Sequence, residues 1–456
     1  MEKKWIVPFS ILIAVGIAGI FTPAAVPDPN AKPIVAADVA WMLTASGLVL
    51  LMTPGLSFFY GGMVGRRNVI STMLQSFIAL GVISILWIVC GFSLAFGESI
   101  GGDKVGLIGN PTTFFMFNGV GTSTNESLSP TIPLVLFSLF QLKFAIITPA
   151  LITGSFAERV RFSSYLLFIC LFSLFIYAPL AHWTWHPNGF LRNLGVLDFA
   201  GGTVVHMSAG FAALAGALFF GRRKSHHAGE AHAPANIPFV ILGTGMLWFG
   251  WFGFNAGSAL AANETATTAF LTTNTASASA MLAWIFFDGI RQRKPSALGA
   301  CVGAVVGLVA ITPAAGYVSV GASVFIGAIA SIVSNLAVHW KNQSTLDDTL
   351  DVFPCHGVGG MVGMVATGVF AQSVGLMFGE MKTFLYHLLA LLVVGAFTFI
   401  GSYLIYMLTD KVIPMRVREE QEEIGLDISQ HGESLDDITP NGTVHANSAK
   451  SVVAMN

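Results

Sequence analysis

Two histidines sit deep inside apolar runs at matching spacing. Asp198 precedes His206 by eight residues and Gly210 follows it by four, and Asp348, His356 and Gly360 repeat that arrangement. A titratable group far inside a membrane segment is costly, and chains that keep one generally use it. Two imidazoles in contact could share a proton, one nitrogen donating and the other accepting. Desolvation would favour their neutral forms. Such a pair could take a proton from a small guest and pass it on. The plainer alternative is two histidines satisfied separately by neighbouring helices, and the matched spacing argues against it. No third ligand lies at a useful spacing, so no metal site is expected.

The flanking residues suggest the guest. Asp198 stands before the first turn of its segment, where a carboxylate caps a helix and meets its positive end. It could also stiffen the mouth or lend a negative field to a cation there. Asp347, Asp348 and Asp351 are its counterparts in the second copy. Phe140 and Phe144 are four residues apart and share a helix face. Trp185 is expected in the loop before Asp198, and Phe254 and Ser258 close another segment on the same side. Singly, membrane aromatics are packing, lipid contacts or interfacial anchors. Together, two rings, an indole and a hydroxyl suit a small ammonium cation held by cation–π contacts.

Lys143 disturbs this picture. It lies mid-segment beside Phe144, and a membrane lysine needs a partner or an exit. It either snorkels or pairs outside the pore, for instance at a subunit interface, or enters the vestibule and repels or imitates the cation. His182, Trp183 and His186 add bulk and titratable groups around Trp185.

The elements that must position these residues are membrane helices. The chain has 456 residues, 54% hydrophobic and 10% charged, with a mean hydropathy of +0.72. A soluble domain carries about 25% charged residues, so an all-α polytopic membrane protein is expected. The 49 glycines fit close helix packing. A net charge of −2 implies no polyanion partner. Cys90, Cys170, Cys301 and Cys355 fall in or beside apolar runs and read as reduced packing residues.

Eleven segments are long enough to span, at roughly 38–60, 70–96, 131–155, 163–181, 200–221, 237–256, 268–289, 297–312, 318–337, 355–373 and 384–408. Loops after the odd-numbered segments carry fourteen basic residues and the alternate loops three (Lys104, Arg192, Lys382). That alternation places the mature N-terminus outside and the C-terminus in the cytoplasm. Residues 1–25 read as a cleaved signal peptide, with an uncleaved extra helix as the alternative. The transmembrane domain then covers 26–409. Residues 410–456 form a polar, acidic cytoplasmic tail, helical at first and disordered from about Thr439. No nucleophile–base set and no nucleotide-binding signature appears, so an enzyme is not expected.

The recurring Asp–His spacing, five segments apart, suggests two five-helix halves. Five is odd, so the second half is inverted, and a final helix follows. Phe59 and Asn68 echo Phe254 and Asn263 at the same separation.

At this point a family resemblance emerges. The chain resembles the ammonium transporters (Amt/Mep, with the Rhesus proteins more distant) over about 38–435. The carrying stretches are Pro54–Gly62, Ala157–Phe162, Asp198–His206, Gly250–Ser258 and Asp347–Gly360, with a tail match at Glu420–Glu433. The resemblance implies a homotrimer in the cell (inner) membrane, one pore per subunit and no cofactor. It assigns substrate recruitment to Trp185, Phe144 and Ser258, a ring gate to Phe144 and Phe254, and a proton relay to His206 and His356. It further implies possible docking of a PII-type signal protein on the cytoplasmic face. Ammonium would be bound outside and deprotonated. Ammonia would then cross an apolar lumen while the proton follows through the histidines. Lys143 departs from the family's usual small or apolar residue, which leaves an ammonium sensor with little transport as the alternative.

Overall fold

The computed structural model describes residues 5–101, 105–229 and 233–435. Each of the eleven expected segments is helical. They are α1 (Ala36–Met63), α2 (Arg66–Phe96), α3 (Leu134–Phe156), α4 (Phe162–Trp185), α5 (Gly202–Phe220), α6 (Ile237–Ala259), α7 (Glu264–Ile290), α8 (Ala297–Ile311), α9 (Val320–Gln343), α10 (Phe353–Phe370) and α11 (Met381–Val412). Among the described residues, nine of these are long and apolar enough to cross a membrane. The other two are α8, with only 15 residues, and α7, whose Thr265, Thr267, Thr268, Thr272, Thr273, Asn274 and Thr275 dilute its apolar character.

The expected boundaries move mostly outward. α2 and α11 begin earlier than their apolar cores, because polar residues continue the helix past the hydrocarbon-like run. α4 runs on to Trp185. Trp185 is therefore the last residue of a helix rather than part of a loop. A short helix over Ile6–Ile20 precedes the bundle and has no buried residue. The disordered tail expected from Thr439, and Lys104, lie outside the described residues.

Small residues set the packing. α1 and α6 touch along glycines: a Cβ on Gly243 would stand 2.3 Å from the Phe59 nitrogen, and one on Gly253 2.6 Å from the Leu48 side chain. α7, α8 and α9 close on one another the same way, with Gly307 and Gly327 both against Ala276. Such faces let membrane helices approach without a hydrophobic driving force.

At one end of the bundle the tail folds back. Arg416 donates to the carbonyls of Phe220 at 2.6 Å and Arg222 at 2.8 Å, covering the C-terminus of α5. Asp427 accepts from the Ile70 and Ser71 amides at the start of α2, at 3.1 and 2.7 Å. Beside them lies a buried ionic cluster in which Arg223 pairs with Asp347 at 2.9 Å and Glu158 at 2.6 Å. Burial works against the Asp347 carboxylate, but the guanidiniums of Arg159 and Arg223 outweigh it. They hold the carboxyl well below the ordinary carboxylate range.

Candidate functional site

The two Asp-to-His stretches fold alike. The Asp198 carboxylate accepts from the amides of Gly201, Gly202 and Thr203 at 2.8, 2.6 and 2.7 Å, and from the Thr203 hydroxyl at 2.5 Å. Gly201 takes a left-handed φ of 119°, which glycine allows without strain. In the other stretch Asp348 accepts from Val352 and Phe353 at 3.1 and 2.7 Å. There Asp351, also three residues on, has a φ of 59°. Lys341 holds it, at 2.7 Å from Asp351 and 3.0 Å from the Asp348 carbonyl. Each histidine then enters in a wide, π-helical turn, Gly202–Met207 and Phe353–Val358. Such turns recur at functional sites because they re-aim a side chain. All three aspartates thus serve local geometry. The four hydrogen bonds of Asp198 use it as a cap. Burial raises Asp348 to about 6, with Lys341 opposing and Asp351 adding to the rise.

The histidines meet. Nδ1 of His206 lies 3.4 Å from Nδ1 of His356, with ring centroids 5.5 Å apart. Both are buried. Two narrow voids of about 10 Å³ flank them, walled almost wholly by apolar side chains such as Leu56, Ile147, Leu151 and Val305 on one side and Phe59, Met63 and Leu350 on the other. That volume is about one water sphere.

A wider cavity of about 440 Å³ opens at the end away from the tail. Phe144, Trp185, Ser258, Gln141 and Asp198 are among its lining residues. Trp185 stands edge-on to Phe144 at 5.6 Å. Its indole N–H donates to the Asp198 carbonyl at 3.1 Å, which fixes the ring. Ser258 donates to the Phe254 carbonyl at 2.8 Å, which leaves its oxygen lone pairs to accept. Phe144, in the lining of this cavity, lies 4.2 Å from Phe254, which lines the void beside the histidines. His206 is 6.0 Å beyond Phe254. An order of vestibule, ring pair, histidine pair and narrow lumen results. It suits a cation held at the mouth and a small neutral molecule beyond.

Sequence reasoning missed three residues. The Gln141 side-chain oxygen is buried in the vestibule wall without a hydrogen-bond partner among the described residues. Trp251 stacks on His206 at 5.4 Å. Thr312 touches both Trp251 and His206. The signals were faint. Trp251 sits within the Gly250–Ser258 stretch already singled out, while Thr312 is an unremarkable residue at the end of an apolar run. Lys143 is buried and lines neither the vestibule nor the lumen. His182 and His186 stack on each other at 4.3 Å and also stay out of the vestibule lining. Burial, with His182 and Arg192 adding to it, lowers His186 to about 4.

Comparison with known proteins settles the lineage. The profile of the Ammonium Transporter Family matches residues 40–435. The chain belongs to that family. It is a family of multi-pass membrane transporters, not of enzymes. An ammonium transporter of Aquifex aeolicus is 46% identical over 87% of this chain and 92% of its own length. A putative ammonium transporter of Methanothermobacter thermautotrophicus is 45% identical over 87% and 97%. Among solved structures, Mep2 of Candida albicans superposes with a TM-score of 0.81 at 36% identity, covering 90% of this chain and 94% of its own. A sensor Amt protein superposes at 0.80 and 30%, covering 87% and 98%.

Proposed function

We propose that this protein carries ammonium across the cell membrane by splitting it. Ammonium is recruited in the vestibule by Trp185, Phe144 and Ser258, and loses its proton at the gate formed by Phe144 and Phe254. Ammonia crosses the apolar lumen. The proton passes through His206 and His356, so uptake is electrogenic and needs no nucleotide. The ring pair at 4.2 Å, standing between the vestibule and two histidines 3.4 Å apart, carries this reading. An intact cation in so dry a lumen would cost several kcal/mol, which a neutral molecule avoids. Potassium has no proton to lose and is rejected at the same step.

The same reading includes an eleven-span, inverted five-plus-five arrangement with a final helix. The paired caps, positive-φ residues and π turns before His206 and His356 support it. It places the vestibule outside, the tail in the cytoplasm, and residues 1–25 as a removable leader. It takes the protein as a homotrimer in the inner membrane, with a PII-type protein as a possible partner at the tail end. A sensor with little transport is the second reading; a sensor Amt protein is among the similar structures at 30% identity, but the relatives at 45–46% identity are named ammonium transporters and do not favour it. Lys143 is not among the vestibule-lining residues, which counts against the repulsion or mimicry of the cation that motivates that reading.

The test is the current in proteoliposomes after an ammonium jump, with a potassium jump as control. Wild type should give current with ammonium alone. His206→Ala should reduce it by about 100-fold, the usual scale for a positioned acid–base group. An unaltered His206→Ala current would sink the relay.

A further inference from the structure

We propose that Thr312 is a positioning residue that fixes which nitrogens of the histidine pair carry protons. This rests on the proton-relay reading above. Thr312 follows the last turn of α8 and is fully buried. Its hydroxyl oxygen has three polar neighbours: the Trp251 indole nitrogen at 2.9 Å, the Leu308 carbonyl at 2.8 Å and His206 Nε2 at 3.3 Å.

The proton count decides the roles. An indole N–H only donates and a carbonyl only accepts, while a hydroxyl has a single proton. The short contact to Leu308 takes that proton. Toward His206 the Thr312 oxygen can then only accept, so His206 Nε2 must carry hydrogen. A neutral imidazole carries one N–H, which leaves His206 Nδ1 bare. The 3.4 Å contact between the two Nδ1 atoms needs one proton, and His356 supplies it. His356 Nε2 is left bare, without a hydrogen-bond partner among the described residues, on the ring that borders the tail-side void. Turning either ring over would replace a nitrogen with carbon at these contacts, so ring orientation is fixed as well.

This arrangement has a direction. In the mirror arrangement, His206 holds its proton on Nδ1 and His356 on Nε2. A proton arriving from the vestibule side binds His206 Nε2. The Nδ1 proton of His206 moves to His356 Nδ1, and the Nε2 proton of His356 leaves toward the tail. One proton enters, one leaves, and the pair ends neutral in the arrangement that Thr312 favours. On this assignment the contacts of the pair match its state after an inward delivery. Reloading returns the Nδ1 proton from His356 to His206, while ammonia in the lumen takes the Nε2 proton of His206 and gives one to His356 Nε2; the Thr312 O–H then swings from Leu308 to the bare His206 Nε2. The hydroxyl acts as a rotor that weights the discharged form.

Nitrogen-15 spectra of histidine-labelled full-length protein in bilayers read this directly, with assignments from His206→Gln and His356→Gln. Wild type should show His206 protonated on Nε2 and His356 on Nδ1. Thr312→Val keeps the volume and removes the hydroxyl; it should mix the two forms, and Thr312→Ser should restore wild-type shifts. Ammonium current in Thr312→Val should change by about two- to tenfold, the range for one neutral hydrogen bond. A wild-type spectrum with His206 protonated on Nδ1, or unaltered shifts in Thr312→Val, overturns the proposal. The wild-type spectrum decides even if the valine variant does not fold. Absence of wild-type current would refute the transport reading instead, and the spectrum would still judge the role of Thr312.

Discussion

Gly210 and Gly357 touch backbone to backbone: a Cβ on Gly210 would stand 2.2 Å from both the Cα and the nitrogen of Gly357. Gly360 also packs against α5, less tightly, with its Cβ position 3.2 Å from both the His206 Cβ and the Gly202 carbonyl. This contact lets α5 and α10 approach closely enough for His206 and His356 to share a hydrogen bond.

Gly210→Ala should therefore do more than destabilise. The clash is with backbone, which cannot rotate away, so a loss of about 1–3 kcal/mol or more is expected. Gly245→Ala, in open space on α6, is the control and should be neutral or slightly stabilising. Thermal unfolding in detergent measures both. A Gly210→Ala protein as stable and as active as wild type would contradict the packing account.

Trp185 should act on recruitment. Its ring is edge-on to Phe144 and tied to Asp198, so it is preorganised for a cation. Trp185→Leu removes one cation–π face, worth about 0.5–2 kcal/mol, and should raise half-saturating ammonium by about two- to thirtyfold. Concentration dependence of the ammonium current reads it. No change would exclude the indole from the recruitment site.

Lys143 should be silent in transport. It lines neither cavity, so Lys143→Ala removes no contact made by the passing substrate and kcat/KM should hold. A silent wild type that gains current in Lys143→Ala would reinstate the sensor reading.

Asp347 should report on acid stability. Its folded carboxyl lies below the unfolded value of 3.8, so its contribution is complete above that pH and fades as pH falls through the folded value. Asp347→Asn should cost about 3–5 kcal/mol at neutral pH, the scale for breaking a buried pair. The gap between variant and wild type should stay constant from pH 7 to 5 and narrow only below about 4. Melting temperatures across that range check the sign. A gap that widened on acidification would refute it.

Much was legible in order along the chain. Apolar runs separated by charged loops marked every long helix, because only a helix satisfies its own backbone in such surroundings. The helices' polar extensions were not legible, since residues like Arg66 and Lys411 continue a helix while reading as loop. Trp185 was misplaced for that reason. His206 and His356 stood out because each is a titratable group within an apolar run, and their equal offsets from Asp198 and Asp348 linked them.

The sequence by itself determined that two histidines would be buried and capped alike, since caps and helical turns are local. Only the tertiary structure decided that they touch, because the crossing depends on Gly210 and Gly357, 147 residues apart by numbering (357 − 210). The same holds for Thr312, which reaches His206 across 106 residues and Trp251 across 61. Lys143 illustrates the rest. Its depth in α3 followed from position, but whether it met the vestibule depended on helix rotation against neighbours, which packing alone fixes.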